Sequence, residues 1–279
     1  MKMAVGVIGA GTMGVGIAYV FAAAGADVTL VEPDGERAVT AVRTATAQAA
    51  KAVERGKLDA AAAEALPQRL TSVPDIAELA EGLDLVVESV PERLDLKQHV
   101  LAAAERRAPR LLASNTSGLP ISELGAGLDR PADFLGLHFF TPVWAMPLVE
   151  IVPAPATAPA QIDAARAAAR LIGKETIVVR DAPGFATSRL GVALGLEAIR
   201  MLQDGVAAAA DIDRAMELGY RHPMGPLRLT DLVGLDVRLD IARNLARTYG
   251  DRFAPPQLLV DKVAAGELGR KSGRGFYDW

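Results

Sequence analysis

The 279-residue chain contains no cysteine. Disulfides, cysteine nucleophiles and thiolate metal sites are therefore excluded, and a reducing compartment is the natural setting. Histidine is nearly as scarce. His99, His138 and His222 are the only three, too few for a histidine-rich metal site, and no metal is expected. Aromatic residues make up 5% of the chain, and alanine supplies much of the apolar share instead. The formal net charge is −4 with Lys and Arg spread along the sequence, so the concentrated basic surface that nucleic acid requires is missing. No uninterrupted apolar run approaches the ~18–20 residues that span a bilayer, and no membrane partner is expected. The first apolar run follows Lys2, as a secretory leader would. Glycines at 9, 11, 14 and 16 break that run at once, which suits a strand and turn better than an h-region. The expectation is a cytoplasmic protein.

What is present begins with a β-favouring run from Met3 to Ile8. It leads into Gly9-Ala10-Gly11-Thr12-Met13-Gly14, after which Val15 to Ala24 reads as a helix. A turn at Gly25-Ala26-Asp27 precedes a second strand, Val28 to Val31, with Glu32 at its C-terminal end. The three glycines of the turn differ in what they allow. Gly9 permits the tight turn, Gly11 lets backbone approach a pyrophosphate, and Gly14 lets helix pack on strand. The phosphates would rest on the free N–H groups and positive end of the helix. Glu32 is placed to accept from the adenosine ribose hydroxyls, and its charge would repel a 2′-phosphate, favouring NAD over NADP.

Residues 35–68 read as two alanine-rich helices joined around Gly56-Lys57-Leu58-Asp59, an excursion that a simple crossover would not need. Their basic residues, Arg55 among them, could meet an anionic substrate tail or merely cover solvated faces. Leu83 to Val90 is a buried strand ending in Pro91-Glu92, Leu94 to Arg107 a helix with Lys97 near its start, and Leu111 to Ala113 a short strand ending in Ser114-Asn115-Thr116-Ser117. Ligands of a doubly wound sheet bind beyond the C-terminal strand ends, so Glu92, Lys97, Asn115 and Ser117 all fall on the ligand side. Ser117 and Ser122 could equally be helix caps.

An apolar strand then delivers His138, the chain turns at Thr141-Pro142, and a second apolar run, Leu148 to Val152, carries Glu150. A strand-turn-strand return would set the carboxylate beside the imidazole, fixing its tautomer and stabilising its charged form. Such a histidine can take and return a proton. The alternative is two buried strands whose polar residues are merely satisfied. Thr176 to Val179 reads as a last strand, and Asp181-Ala182-Pro183-Gly184 breaks the pattern. Beyond it only helices are expected, over Thr187 to Gln203, Ala208 to Leu218, Leu227 to Val233 and Val237 to Tyr249. The first of these is apolar on more than one face. The expected fold is α/β: a Rossmann-type doubly wound sheet with a helical-hairpin excursion over residues 1–182, then an all-helical substrate and dimerisation domain over 183–279.

The whole chain resembles the L-3-hydroxyacyl-CoA dehydrogenases, especially the 3-hydroxybutyryl-CoA type. The resemblance rests on the glycine turn, Ser114-Asn115-Thr116-Ser117, His138-Phe139-Phe140, Leu148-Val149-Glu150, Pro183-Gly184-Phe185, His222-Pro223-Met224-Gly225-Pro226 and Gly273-Arg274-Gly275-Phe276-Tyr277, in that order. It implies NAD as cofactor, an acyl-CoA substrate, and a homodimer through the helical domain. It also implies that His138 is the general base for the C3 hydroxyl, oriented by Glu150, with Ser117 on the substrate oxygen. Gly9, Gly11, Thr12, Met13, Gly14, Glu32, Glu92, Lys97, Asn115, Ser117, Thr141 and Lys271 would then contact the cofactor, and Arg55 the CoA. Two positions depart from the family. Ser188 stands in the catalytic set where an asparagine is usual, and a hydroxyl lacks an amide's reach. Thr141 also replaces a usual asparagine. Rival readings are a dehydrogenase of a free hydroxy or sugar acid and a non-catalytic dinucleotide-binding protein.

Overall fold

The computed structural model describes residues 2–279 and divides into two compact units, one ending at Asp181 and the other running from Ala182 to Trp279. The first opens with β1 (Ala4–Ile8), α1 (Thr12–Ala23) and β2 (Asp27–Val31). The excursion α2 (Gly35–Glu54) and α3 (Ala60–Arg69) leads to β3 (Leu70–Val73). Then come β4 (Leu85–Glu88), α4 (Leu94–Glu105), β5 (Leu112–Ser114), α5 (Ile121–Leu124), β6 (Phe134–His138), β7 (Leu148–Pro153), α6 (Pro159–Leu171) and β8 (Glu175–Val178). The eight strands form one sheet in the order β3-β2-β1-β4-β5-β6-β7-β8. All neighbours pair parallel except β6 and β7. Strand order reverses between β1 and β4, and a doubly wound sheet binds its ligands at the carboxyl ends beside that reversal.

The central strands are apolar on both faces because helices cover both. Val5, Val7, Leu85, Val87, Leu135 and Leu137 are buried with Ile17 and Phe21 of α1. Asp34 caps α2 by accepting from the Glu36 and Arg37 amides. The buried stripe of α2 is alanine throughout, at positions 38, 41, 45, 49 and 52, so its backbone approaches neighbouring elements closely. Strand β3 has no counterpart in the sequence reading. Its Leu-Thr-Ser-Val sequence carries no apolar alternation, and pairing with β2 at the sheet edge supplies what propensity does not.

The second unit contains α7 (Thr187–Gln203), α8 (Ala209–Gly219), α9 (Pro226–Val233), α10 (Leu235–Tyr249) and α11 (Gln257–Ala264). The last of these is likewise an addition to the expected set. Val192, Leu196 and Ile199 of α7 pack with Leu227, Leu235 and Leu239 in its core. Two buried aspartates organise the polar side. Asp213 accepts from the first-turn amides of α9, Leu227 N at 2.8 Å and Arg228 N at 2.9 Å. Asp231, 1% exposed, accepts from Phe276 N, Tyr277 N and Trp279 Nε1 at 2.8–2.9 Å. These bonds pin residues 276–279 to the α9 end of the unit.

Candidate active site

The carboxyl ends of β1, β2, β4, β5 and β6 surround a cavity of about 1410 Å³, lined only by residues of the first unit. That exceeds the ~300–1,000 Å³ of an ordinary small-ligand pocket. The glycine turn forms one wall. Gly9 has φ +103°, which L side chains rarely adopt, and a Cβ there would lie 2.8 Å from the Ser89 carbonyl oxygen. A Cβ on Gly14 would fall 1.8 Å from the Gly9 carbonyl oxygen, so helix and turn pack without room for a methyl. A Cβ on Gly11 would meet nothing within 4 Å: backbone faces open cavity where a pyrophosphate must approach. Thr12 and Met13 line the same wall.

Glu32, 5% exposed, stands at the end of β2 and accepts from Ala10 N and Asp34 N, each at 3.2 Å. Arg37 places Nη2 3.2 Å from the Glu32 carboxylate. Sequence reasoning misses this neighbour, and only its position one turn into α2 hints at it. Donor and acceptor chemistry therefore suits a ribose diol at this corner, and the open Gly11 wall suits its diphosphate. The residues present fit NAD.

Glu92 joins the other wall and is the hub of a network. Its Oε1 accepts from the Thr116 hydroxyl at 2.6 Å and from Ser117 N at 3.0 Å, with the Ser117 hydroxyl at 3.4 Å. Lys97 departs from the expectation that it lines the cofactor. Its side chain is wholly buried, donating to Glu88 at 2.8 and 3.1 Å and lying 3.4 Å from Glu92. The reason is legible afterwards: Lys97, Val100, Leu101 and Ala104 form the buried stripe of α4. Burial pushes the Glu88 carboxyl above its ordinary value, against the opposing pull of Lys97, the Ser114 hydroxyl and Val90 N. Lys97 thus acts through Glu92, holding the carboxylate that holds Ser117.

His138 ends β6, and Glu150 is its direct cross-strand partner in the antiparallel β6–β7 pair. Nδ1 lies 2.6 Å from Glu150 Oε2; the carboxylate is fully buried and the imidazole 8% exposed. Accepting from Nδ1–H, the carboxylate leaves Nε2 as the ring's basic atom. Asn115 ties β5 to the residue after His138, its Oδ1 accepting from Phe139 N at 3.0 Å, while the Phe140 ring sits 4.4 Å from the imidazole. Thr141 lines the cavity and donates to Met13 Sδ at 2.8 Å. Buried Lys174 holds the loop between the two strands, donating to Val143 O and Met146 O at 2.6 Å.

The cavity gathers Gly9, Gly11, Glu32, Glu92, Asn115, Ser117 and His138 along one edge. Arg55 does not line it; it is the exposed C-cap of α2. Ser188 lies in the first turn of α7, half-buried, and Lys271 pairs with Asp236 at 2.5 Å, both within the second unit. No cluster of histidine and carboxylate side chains suited to a metal ion occurs among the described residues.

A dinucleotide cradle and a carboxylate-paired histidine on one edge of a doubly wound sheet define a nucleotide-dependent oxidoreductase. Comparison with known proteins narrows this. Sequence models of the 3-hydroxyacyl-CoA dehydrogenase NAD binding domain and C-terminal domain match residues 4–182 and 184–279. A 3-hydroxybutyryl-CoA dehydrogenase of Mycobacterium tuberculosis is 42% identical, over 99% of this chain and 98% of the relative. A 3-hydroxyadipyl-CoA dehydrogenase of Escherichia coli is 39% identical, over 99% of this chain and 58% of the relative. The crystal structure of an (S)-3-hydroxybutyryl-CoA dehydrogenase from Ralstonia eutropha superposes with a TM-score of 0.95 at 35% identity, covering 100% and 99% of the two chains. The chain belongs to the 3-hydroxyacyl-CoA dehydrogenase family and uses NAD.

Proposed function

We propose that the chain interconverts short-chain (S)-3-hydroxyacyl-CoA, such as 3-hydroxybutanoyl-CoA, and the 3-oxo thioester, with His138 and Glu150 as its acid–base pair. The observation that carries this is the 2.6 Å His138–Glu150 contact at the edge of the dinucleotide cavity. NAD, when bound, supplies the hydride acceptor. His138 takes the C3 hydroxyl proton at Nε2 as hydride leaves C3, and returns it in the reverse direction. Glu150 orients the ring and accepts from Nδ1–H throughout, so the imidazolium forms beside an existing negative charge. Ser117, fixed by Glu92, donates to the substrate oxygen. Gly9, Gly11, Thr12, Met13 and Gly14 hold the diphosphate and Glu32 the adenosine ribose, with Glu92, Asn115 and Thr141 shaping the nicotinamide end and Lys97 steadying Glu92 from the core. Ser188, Lys271 and Arg55 are assigned to substrate, cofactor and CoA by resemblance to the family.

We further propose a homodimer through the helical unit, whose exposed Leu190, Leu218 and Tyr220 are 67–76% accessible in the single chain. A cytoplasmic setting is in keeping with the absence of cysteine and of any described helix long and apolar enough to cross a membrane. The test is NADH oxidation with acetoacetyl-CoA beside free acetoacetate at equal concentration. Rapid turnover of the thioester alone is expected. Preference for the free acid would overturn the acyl-CoA assignment and favour a hydroxy-acid dehydrogenase.

A further inference from the structure

Of the glycines at 9, 11, 14 and 16, Gly16 is the one that neither the turn nor the diphosphate accounts for. It lies on α1, and the loop between β6 and β7 occupies the place of its missing side chain. A Cβ there would fall 2.8 Å from Val143 Cβ and Cγ2. The same helix meets that loop at two further points. Thr141 donates to Met13 Sδ at 2.8 Å, and the Trp144 ring meets Tyr19 edge-on with centroids 6.2 Å apart. Met13, Gly16 and Tyr19 recur every three residues, so they lie along one side of α1.

A second element holds the same loop. Lys174, the residue before β8, is 8% exposed, and its ammonium donates to Val143 O and Met146 O at 2.6 Å each. Those carbonyls belong to a single tight turn, in which Ala145 N and Met146 N donate to Pro142 O at 2.9 and 3.1 Å. Burial lowers the Lys174 ammonium below its ordinary pKa. Burying a cation is costly, and charge-assisted bonds are about twice as strong as neutral ones. The cost is met here by fastening main chain that no strand pairing holds, since β6 ends at His138 and β7 begins at Leu148.

The residues that the loop carries give this clamp a purpose. Phe139, Phe140 and Thr141 line the dinucleotide cavity beside His138. The His138–Glu150 contact is set by strand register and does not need the loop. The placing of a nicotinamide ring against the imidazole does, because α1 receives the diphosphate while the loop lies between α1 and His138. We propose that Lys174 and Gly16 are positioning residues for hydride transfer, which together fix loop 139–147 on α1 and so set the nicotinamide against His138 and the substrate C3. Neither residue lines the cavity. The proposal rests on the acid–base reading above and deepens it. Misplacing reacting groups by about 1 Å costs about 100-fold in rate, whereas the glycine turn and Glu32, which bind the rest of the dinucleotide, lie outside the loop.

The test follows NADH oxidation by acetoacetyl-CoA in the full-length enzyme and in its Lys174→Met, Lys174→Arg and Gly16→Ala variants and the Lys174→Met/Gly16→Ala double variant. Leu66→Ala, a fully buried change in α3 outside the cavity lining, is the control for lost stability. Lys174→Met and Gly16→Ala should each lower kcat by about 10–100-fold, with the Kd for NADH and the KM for the thioester within about threefold of native. The isotope effect from NADH deuterated at the transferred position should rise as the hydride step becomes limiting. The double variant should lose little more than either single one, because both release the same loop. Lys174→Arg can still donate to both carbonyls and should recover part of kcat. Leu66→Ala should keep its kcat at temperatures where it is folded. Should Lys174→Met fail to fold, Gly16→Ala decides on the same readouts. A folded variant with native kcat, or one that loses only Kd or KM, would overturn the clamp and leave the reaction assignment standing. Equal losses of kcat in Leu66→Ala and Lys174→Met at matched melting temperature would do the same. No turnover of the thioester by the native enzyme would overturn both readings.

Discussion

Replacing Lys97 with methionine removes the cation from the most deeply buried ion pair of the first unit. The ammonium touches both oxygens of Glu88, at 2.8 and 3.1 Å, and both side chains have no solvent exposure. Removing one partner of a buried pair strands the other and costs about 3–5 kcal/mol. For a domain of this size each kcal/mol lowers Tm by roughly 2–4 °C, so a fall of about 6–20 °C is expected. The pH dependence separates stranded charge from simple loss of packing. The Glu88 carboxyl already sits above its ordinary value because of burial, with Lys97 the largest opposing influence. Without the ammonium its folded-state value rises further. A carboxyl with a folded value above its unfolded one binds more protons when folded, so stability falls as pH rises through that interval. The deficit of Lys97→Met should therefore be smallest at about pH 5 and largest at about pH 8. Urea unfolding followed by circular dichroism at both pH values measures it, and adding Glu88→Leu should recover most of the loss. Equal deficits at the two pH values, or no recovery in the double variant, would refute the argument. Because Lys97 also steadies Glu92, the single variant should bind NADH more weakly even where it is fully folded.

His138→Gln should reduce kcat by about 10²–10⁴ while NADH still binds, as stopped-flow turnover and fluorescence titration would measure. Gly11→Ala and Gly14→Ala should part company. The first meets no protein atom, so melting should be unchanged while the Kd for NADH rises at least about tenfold. The second collides with the Gly9 carbonyl oxygen and should lower both melting temperature and cofactor affinity. Asp231→Ala leaves three donors without their acceptor and should cost the helical unit about 3 kcal/mol or more, read by urea unfolding.

The sheet and its ligand edge are legible in the sequence because their signals are local. The glycine spacing, the acid at the end of β2 and the His138–Glu150 return each depend on a few neighbouring residues whose geometry admits little else. Strand β3 is not legible, since Leu70-Thr71-Ser72-Val73 becomes a strand only through β2 beside it. Lys97 misleads for a related reason. Its strand-end position points to the ligand, whereas its i, i+3, i+4, i+7 relation to Val100, Leu101 and Ala104 points to the core, and the core prevails because Glu88 is there to receive it. Arg37 beside Glu32 and Arg238 over Gly191 and Gly195 depend on contacts between elements, which one-dimensional patterns do not carry.

The pinning of residues 276–279 by Asp231 ties distant parts of the helical unit into a ring. Asp231 precedes Phe276 by 45 residues, yet the amides and indole that satisfy it belong to the last four positions. Through Asp231, α9 and the segment that follows α11 close a loop of 45 residues, so that α10 and α11 are held between two fixed ends. A chain shortened by four residues would lose the lock without losing a single helix.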